Sequence, residues 1–243
     1  LFRSVKENQY IDNIVPVAKR ENIHNVDRCF ECLKYFGINS EYNENIYYRR
    51  IFNKEKIEKT YTQLNLGLSN EEFIVLCVGA NKVSFKINGK YKSNDVKNWP
   101  IENWIVLANS LNKENIRVVL VGGKNDIKKI IDCKERLDNS ILNLVGRMNI
   151  AESISILEYA KMVVGCDTGL MHCAASLNKR TLMLLGGITP IQAQGYGKNS
   201  ESIYLHKQCS PCFGTGKDVF CNDPVCMKEI SVENVLERIL NIC

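Results

Sequence analysis

The sequence predicts an α/β fold, a doubly wound parallel sheet of Rossmann-like type. Three observations predict it. Short apolar runs alternate with amphipathic helical stripes from residue 73 onward. Two of the runs end directly in glycine, Phe73–Val78 at Gly79 and Ile116–Val121 at Gly122-Gly123. The composition, 45% hydrophobic and 24% charged, is that of a globular chain with a sizeable core. Strands alternating with helices imply a parallel sheet covered on both faces, wound by right-handed crossovers.

The elements follow in order. Residues 24–36 carry a helical stripe of Val26, Cys29, Phe30, Leu33 and Phe36, with Gly37 as C-cap. Residues 38–70 are polar and read as a linker with short elements. Phe73–Val78 reads as the first strand, and Ala80–Val96 as a long, Lys-rich loop. Pro100 suits the first turn of a helix over 100–111, whose inner face is Ile101, Trp104, Ile105, Ala108 and Leu111. Ile116–Val121 is a strand. Residues 125–137 form a charged helix with Ile127, Ile130, Ile131 and Leu137 inward. Ile141–Val145 is a short strand. Asn149 and Glu152 form a capping box for the next helix. Met162–Cys166 is a strand, Leu170–Leu177 a helix, Thr181–Leu185 a strand, and Ser231–Ile242 a terminal helix.

The net charge of +5 suits a phosphorylated ligand or an anionic membrane surface and is too mild to argue for nucleic acid. Leu1–Arg20 has scattered charges and no apolar core of a signal peptide, and no run approaches the ~20 residues that span a bilayer. The chain begins with Leu, as a fragment or a processed chain would. Eleven cysteines without a secretory signal predict a reducing, cytoplasmic setting and mostly free thiols. Cys77, Cys133, Cys166 and Cys173 read as small core residues. The Cys29/Cys32 pair reads as part of a helix face, because no strand leads into it as in a redox motif.

Ligands in such sheets bind beyond the carboxyl ends of the strands, which selects the loops after them, Gly79 and Ala80 included. The strongest signal is Cys166-Asp167-Thr168-Gly169-Leu170-Met171-His172, where a strand ends and a helix of small residues begins. Gly169 permits close backbone approach, and the helix N-terminus suits a phosphate. Asp167 is expected to hold loop N–H groups, since a carboxylate repels phosphate. His172 is either a packing residue or a ligand contact. In Lys97-Asn98-Trp99-Pro100, the lysine can reach the same crevice as a compact cation, or be a solvated surface residue. Asp126 in the run after the second strand either accepts from ribose hydroxyls or is an ordinary first-turn acid. The dinucleotide fingerprint GxGxxG and the Walker A pattern are both absent from the sequence, against NAD and P-loop ATPase chemistry. Cys209-x2-Cys212 and Cys221-x4-Cys226 are two close pairs that suit a four-cysteine structural zinc or iron knuckle, a disulfide pair, or free thiols.

These signals, in this order, resemble the glycosyltransferase family 9 heptosyltransferases, the ADP-heptose:lipopolysaccharide enzymes. Lys97–Pro100, Cys166–His172, Gly195-Tyr196-Gly197-Lys198-Asn199 and the late cysteines carry the resemblance. It implies a GT-B fold, with residues 1–65 the tail of an N-terminal acceptor domain and linker, 66–230 the nucleotide-sugar domain, and 231–243 a helix returning to the N-terminal domain. It implies that Lys97 and Asp167–Gly169, with Gly79, Ala80 and Leu170 nearby, hold the donor diphosphate, with Lys97 stabilising the leaving group. Asp126 would hold the ribose, Met148 would line the base and His172 would sit close by. Ser84 and Ser93 are both candidates for a diphosphate hydroxyl.

The resemblance further implies inverting transfer with no cofactor required for catalysis, and a general base outside this chain. The implied donor is ADP-heptose or a similar nucleotide sugar. The implied acceptor is a lipopolysaccharide core or related glycan, with peripheral contact at the inner membrane. The alternatives are a nucleotide-sugar-binding fragment or paralogue without catalysis, and a four-cysteine metal protein on a Rossmann scaffold.

Overall fold

In the computed structural model the described residues are 23–35, 37–39, 54–68, 71–87, 90–94, 96–212 and 221–242. Two strands, β1 (Phe73–Cys77) and β6 (Met162–Cys166), are buried at every position. Continuous burial of this kind requires cover on both faces of a sheet. The sheet is built from β1, β4 (Arg117–Val121), β5 (Leu142–Asn143), β6, β7 (Arg180–Leu185) and β8 (Ser200–Tyr204). Their spatial order is β5-β4-β1-β6-β7-β8, and every neighbouring pair is parallel. The chain therefore winds outward from β1 in one direction, then returns beside it and winds outward in the other. The reversal lies between β1 and β6, and this switch point opens a crevice at the strands' carboxyl ends.

Two apolar layers enclose the sheet. One holds Trp99, Trp104, Leu107 and Leu111 with Val235 and Ile239. These belong to α3 (Ile101–Lys113), the residues just before it, and the terminal helix (Val232–Ile242). Trp99 and Trp104 meet edge to face at 4.9 Å, and the Trp99 indole N–H donates to the Ile230 carbonyl at 2.9 Å. The buried stripe of the terminal helix thus packs on α3. The other layer holds Ile156, Leu157, Met171 and Ala174 from α5 (Ile150–Tyr159) and α6 (Gly169–Ser176). It also takes Ile57 of α2 (Lys54–Leu64), whose Tyr61 stacks on Tyr159 at 4.0 Å. Helix α1 (Asn25–Tyr35) ends as expected at Gly37, whose φ of +74° suits glycine.

Four local expectations give way. The helix expected over 125–137 divides into a 3-10 turn, Lys124–Asp126, a short α4 (Ile127–Ile131) and a second turn, Lys134–Arg136. Ile131 is exposed rather than inward, so the apolar stripe is too short to sustain one long helix. The strand over 141–145 shrinks to β5, because the Asn143 side-chain Oδ1 accepts from the Val145 N–H at 3.1 Å and turns the chain away. The long loop after residue 80 contains an antiparallel hairpin, β2 (Val83–Ile87) with β3 (Lys90–Asn94), in which Ser84 and Ser93 are register partners. Edge strand β8 was hidden by its polar sequence, Ser-Glu-Ser-Ile-Tyr. Among the described residues no helix is long and apolar enough to cross a membrane.

Candidate functional site

Two adjoining cavities occupy the switch-point crevice. The first, about 730 Å3, runs from Gly79 and Ala80 after β1, past Asp126, to Thr168, Gly169 and Leu170 after β6. Gly79 is required there: a Cβ would fall 1.9 Å from the Asp126 Oδ2. The glycine therefore lets the Asp126 carboxylate lie against the end of β1. Asp126 is nearly buried, and its Oδ2 accepts the Gly123 N–H at 3.0 Å. Its Oδ1 lies 3.6 Å from the Lys129 ammonium. Asp126 is therefore a held acid on the cavity wall and not a solvated one. Cys77 also lines this cavity, and burial, with Cys166 and Cys173 adding to it, pushes its thiol up to about 12.

The opposite rim is the start of α6. The N–H groups of a helix's first turn have no intrahelical partner. Thr168 is the N-cap residue, yet its side chain caps none of them. Its hydroxyl is buried without a hydrogen-bond partner. A Cβ placed on Gly169 would meet nothing within 4 Å, so packing does not demand this glycine. Together these leave donors free at the end of a helix dipole, beside a cavity, which is the geometry that receives a phosphate.

Lys97 closes the cluster. Its ammonium donates to Asp167 Oδ2 at 2.6 Å, and the His172 Nε2 lies 3.2 Å from Oδ1. Burial raises the Asp167 carboxyl, but the hydrogen bond from His172 and the charge of Lys97 outweigh it and hold it below its ordinary value. The expectation that Asp167 ties down loop N–H groups is corrected: its two oxygens serve Lys97 and His172 instead. The carboxylate thus fixes a cation at the mouth of the phosphate-like site. Asn98 was not assigned a role from sequence. It clamps the base of the hairpin, accepting from the Ala80 N–H at 2.6 Å and donating to the Ala80 carbonyl at 2.8 Å.

The predicted residues divide between the cavities. Gly79, Ala80, Asp126, Thr168, Gly169 and Leu170 line the first. Lys97, Asp167 and His172 line the second, of about 540 Å3. Met148 is packed against the apolar layer under α5, and the exposed Ile150 lines the first cavity instead. Sequence reasoning missed His24, whose Nε2 donates to the Gln194 carbonyl at 2.8 Å, and Asp27, which accepts from the Tyr196 hydroxyl. These contacts bring the start of α1 to the second cavity. A helical stripe alone gave no signal of that.

Among the described residues no group of three or more His, Cys, Asp or Glu is placed to hold a metal. None of Cys209, Cys212, Cys221 and Cys226 is in a disulfide. Burial, followed by Cys212, Cys209 and Cys221, pushes the Cys226 thiol up to about 11. Residues 213–220 between the pairs, with Gly214 and Gly216, lie outside the described residues.

An open parallel sheet with an uncapped helix and a held lysine at its switch point is an arrangement by which α/β domains receive phosphate groups. The family model described as glycosyltransferase family 9 (heptosyltransferase) matches residues 7–221, and the chain belongs to that family. It is 32% identical over 120 residues to lipopolysaccharide heptosyltransferase 1 of Salmonella typhimurium, a match covering 49% of this chain and 36% of that protein. A glycosyl transferase family 9 structure from Veillonella parvula superposes with a TM-score of 0.68 at 15% identity, over 93% of this chain and 62% of that one. E. coli ADP-heptose LPS heptosyltransferase II gives 0.59 at 22% identity, over 79% of this chain and 52% of that one. These two share the fold. The matched region spans about a third of the curated relative's length.

Proposed function

We propose that this chain supplies the donor side of an inverting glycosyl transfer from ADP-heptose, or a similar nucleotide sugar, to a lipopolysaccharide core or related glycan. The observation that carries the reading is the unpartnered Thr168 hydroxyl at the uncapped start of α6, beside the Lys97–Asp167 pair. In this reaction the bond from the anomeric carbon to the β-phosphate oxygen breaks. The acceptor oxygen bonds to that carbon, its proton passes to a carboxylate base, and ADP leaves. Negative charge grows on the β-phosphate, where Lys97 and the N–H groups at the start of α6 would receive it. That work needs no metal. The acceptor proton needs a base because a sugar hydroxyl titrates far above neutrality. We assign no described residue to that role, since Asp167 is committed to Lys97 and His172. Catalysis, the acceptor and any peripheral contact at the inner membrane all belong to this proposal.

Calorimetric titration of the purified chain with ADP, UDP and GDP tests it. Selective ADP binding, lost in Lys97→Ala, is the expected result. A folded chain that binds none of the three overturns the donor reading.

We also propose Cys209, Cys212, Cys221 and Cys226 as a structural zinc or iron site. Four soft thiols suit either metal and leave no open position for catalysis. Cys212, Cys209 and Cys221 all lie near enough to Cys226 to help push its thiol up. Elemental analysis of protein purified under reducing conditions is expected to find one metal ion per chain. Metal-free protein with unchanged thermal stability excludes the site.

A further inference from the structure

The second cavity holds a polar group that nothing in the fold explains. Gln192 is fully buried at α7 (Pro190–Ala193) and lines this cavity with His24, Lys97 and His172. Its Oε1 accepts from the Thr189 backbone N–H at 3.4 Å and lies 3.2 Å from the Thr189 hydroxyl. A backbone N–H can only donate, so the oxygen must face Thr189 and the amide nitrogen must face away. That nitrogen, Nε2, is buried and has no hydrogen-bond partner. A buried donor left in this state is disfavoured, and such groups are ordinarily satisfied.

The surroundings indicate what satisfies it. The two cavities adjoin, with Asn81 and Lys82 lining both. His24 is fully used: its Nδ1 accepts from the Val26 N–H at 3.1 Å, so its Nε2 is the protonated nitrogen that donates to Gln194. It is therefore a wall, not a second reader. Val26, Ile188 and Ala193 add apolar surface. Apolar side chains beside a buried amide donor with no partner suit a neutral polyhydroxylated ring.

We infer that Gln192 is a specificity-determining residue for the sugar of the donor, its Nε2 donating to a sugar hydroxyl while the diphosphate lies in the first cavity. This inference rests on the donor-binding reading above. It adds a residue outside the motifs that carry the family resemblance.

The test compares ADP with ADP-heptose by calorimetry on the full chain. Gln192→Glu keeps an oxygen for Thr189 and replaces the donor with an acceptor. Gln192→Met keeps the length and removes both polar atoms. The wild type is expected to bind ADP-heptose more tightly than ADP. Both variants are expected to hold ADP within about twofold and to lose about tenfold in ADP-heptose affinity, equivalent to ~1.4 kcal/mol. Three outcomes overturn the inference. The wild type binds ADP and ADP-heptose equally; or the variants retain the wild-type preference; or they lose ADP and ADP-heptose affinity in parallel, which makes the amide a support of the whole site. A folded wild type that binds no ADP overturns the donor reading itself, and this inference with it.

Discussion

Two helices begin at the same end of the sheet and begin differently. At α5 the Asn149 side chain accepts from the Glu152 N–H at 3.0 Å, while the Glu152 carboxylate accepts from the Asn149 N–H at 2.7 Å. At α6 the N-cap residue Thr168 makes no such bond, and its hydroxyl is buried without a partner. One helix start is closed by its own side chains. The other is left open, with a lysine held beside it by Asp167. The same fold needs both helices for its core, so packing does not explain the difference. The donor diphosphate proposed above would. The contrast sets a helix terminus closed by its own side chains against one left open within the same sequence.

The largest expected effect comes from removing the cation at the open end. Lys97→Ala deletes a charged hydrogen-bond donor of the kind worth about 1.5–3 kcal/mol, or roughly 10- to 100-fold in ADP affinity. Calorimetry reads it directly. An unchanged ADP affinity would mean that the α6 end is open for a reason other than phosphate, and the contrast with α5 would lose its functional meaning.

A reciprocal pair sharpens the contrast at smaller magnitude. Thr168→Val removes a hydroxyl that the protein itself does not use. We expect unchanged or slightly higher thermal stability, with ADP affinity reduced roughly 2- to 10-fold, the worth of one neutral hydrogen bond at about 1 kcal/mol. Asn149→Ala removes a cap that the protein does use. It should cost about 1 kcal/mol of stability and leave ADP affinity unchanged. Denaturant unfolding and calorimetry on both variants give a two-by-two result. Loss of stability in Thr168→Val, or of ADP affinity in Asn149→Ala, would break it.

The contrast was half legible in sequence. Asn149 followed by Glu152 is a local pattern, so the closed end was readable from spacing alone. The open end was readable only as a turn that suits phosphate. That its Asp167 serves Lys97 depends on contact across 70 positions, which no local pattern carries. The same reason hid Asn98, Gln192 and the approach of His24, whose partner Gln194 lies 170 positions away. The six-stranded core was legible because five of its strands are apolar and bounded by turn signals. Strand β8 was not, since its polar residues suit a solvated edge. The hairpin was a different kind of miss. Val83-Ser84-Phe85-Lys86-Ile87 alternates in period two and is followed by Asn88-Gly89, a strong hairpin pattern, and its charge disguised it as loop.

The smallest expected effect is a pH dependence at the open end. The Asp167 carboxyl sits below its ordinary value in the folded protein, because His172 and Lys97 outweigh its burial. A carboxyl lowered on folding contributes stability that is fully present above its unfolded pKa. The contribution fades as pH falls through the lower, folded value. The window is therefore acidic, beginning near the ordinary carboxylate pKa and extending below it. Asp167→Asn removes the titrating group while keeping one oxygen to accept from Lys97. The stability difference between wild type and Asp167→Asn should be constant from pH 7 to pH 5 and shrink progressively below about pH 4. Denaturant unfolding across that range measures it. The same experiment on Glu152→Gln, at the closed end, supplies the reference for a carboxylate that caps a helix without holding a cation. A difference for Asp167→Asn that disappears already near neutral pH would place the titration on a group other than this carboxylate. The cation at the open end would then be held by a different balance of charges from the one its geometry describes.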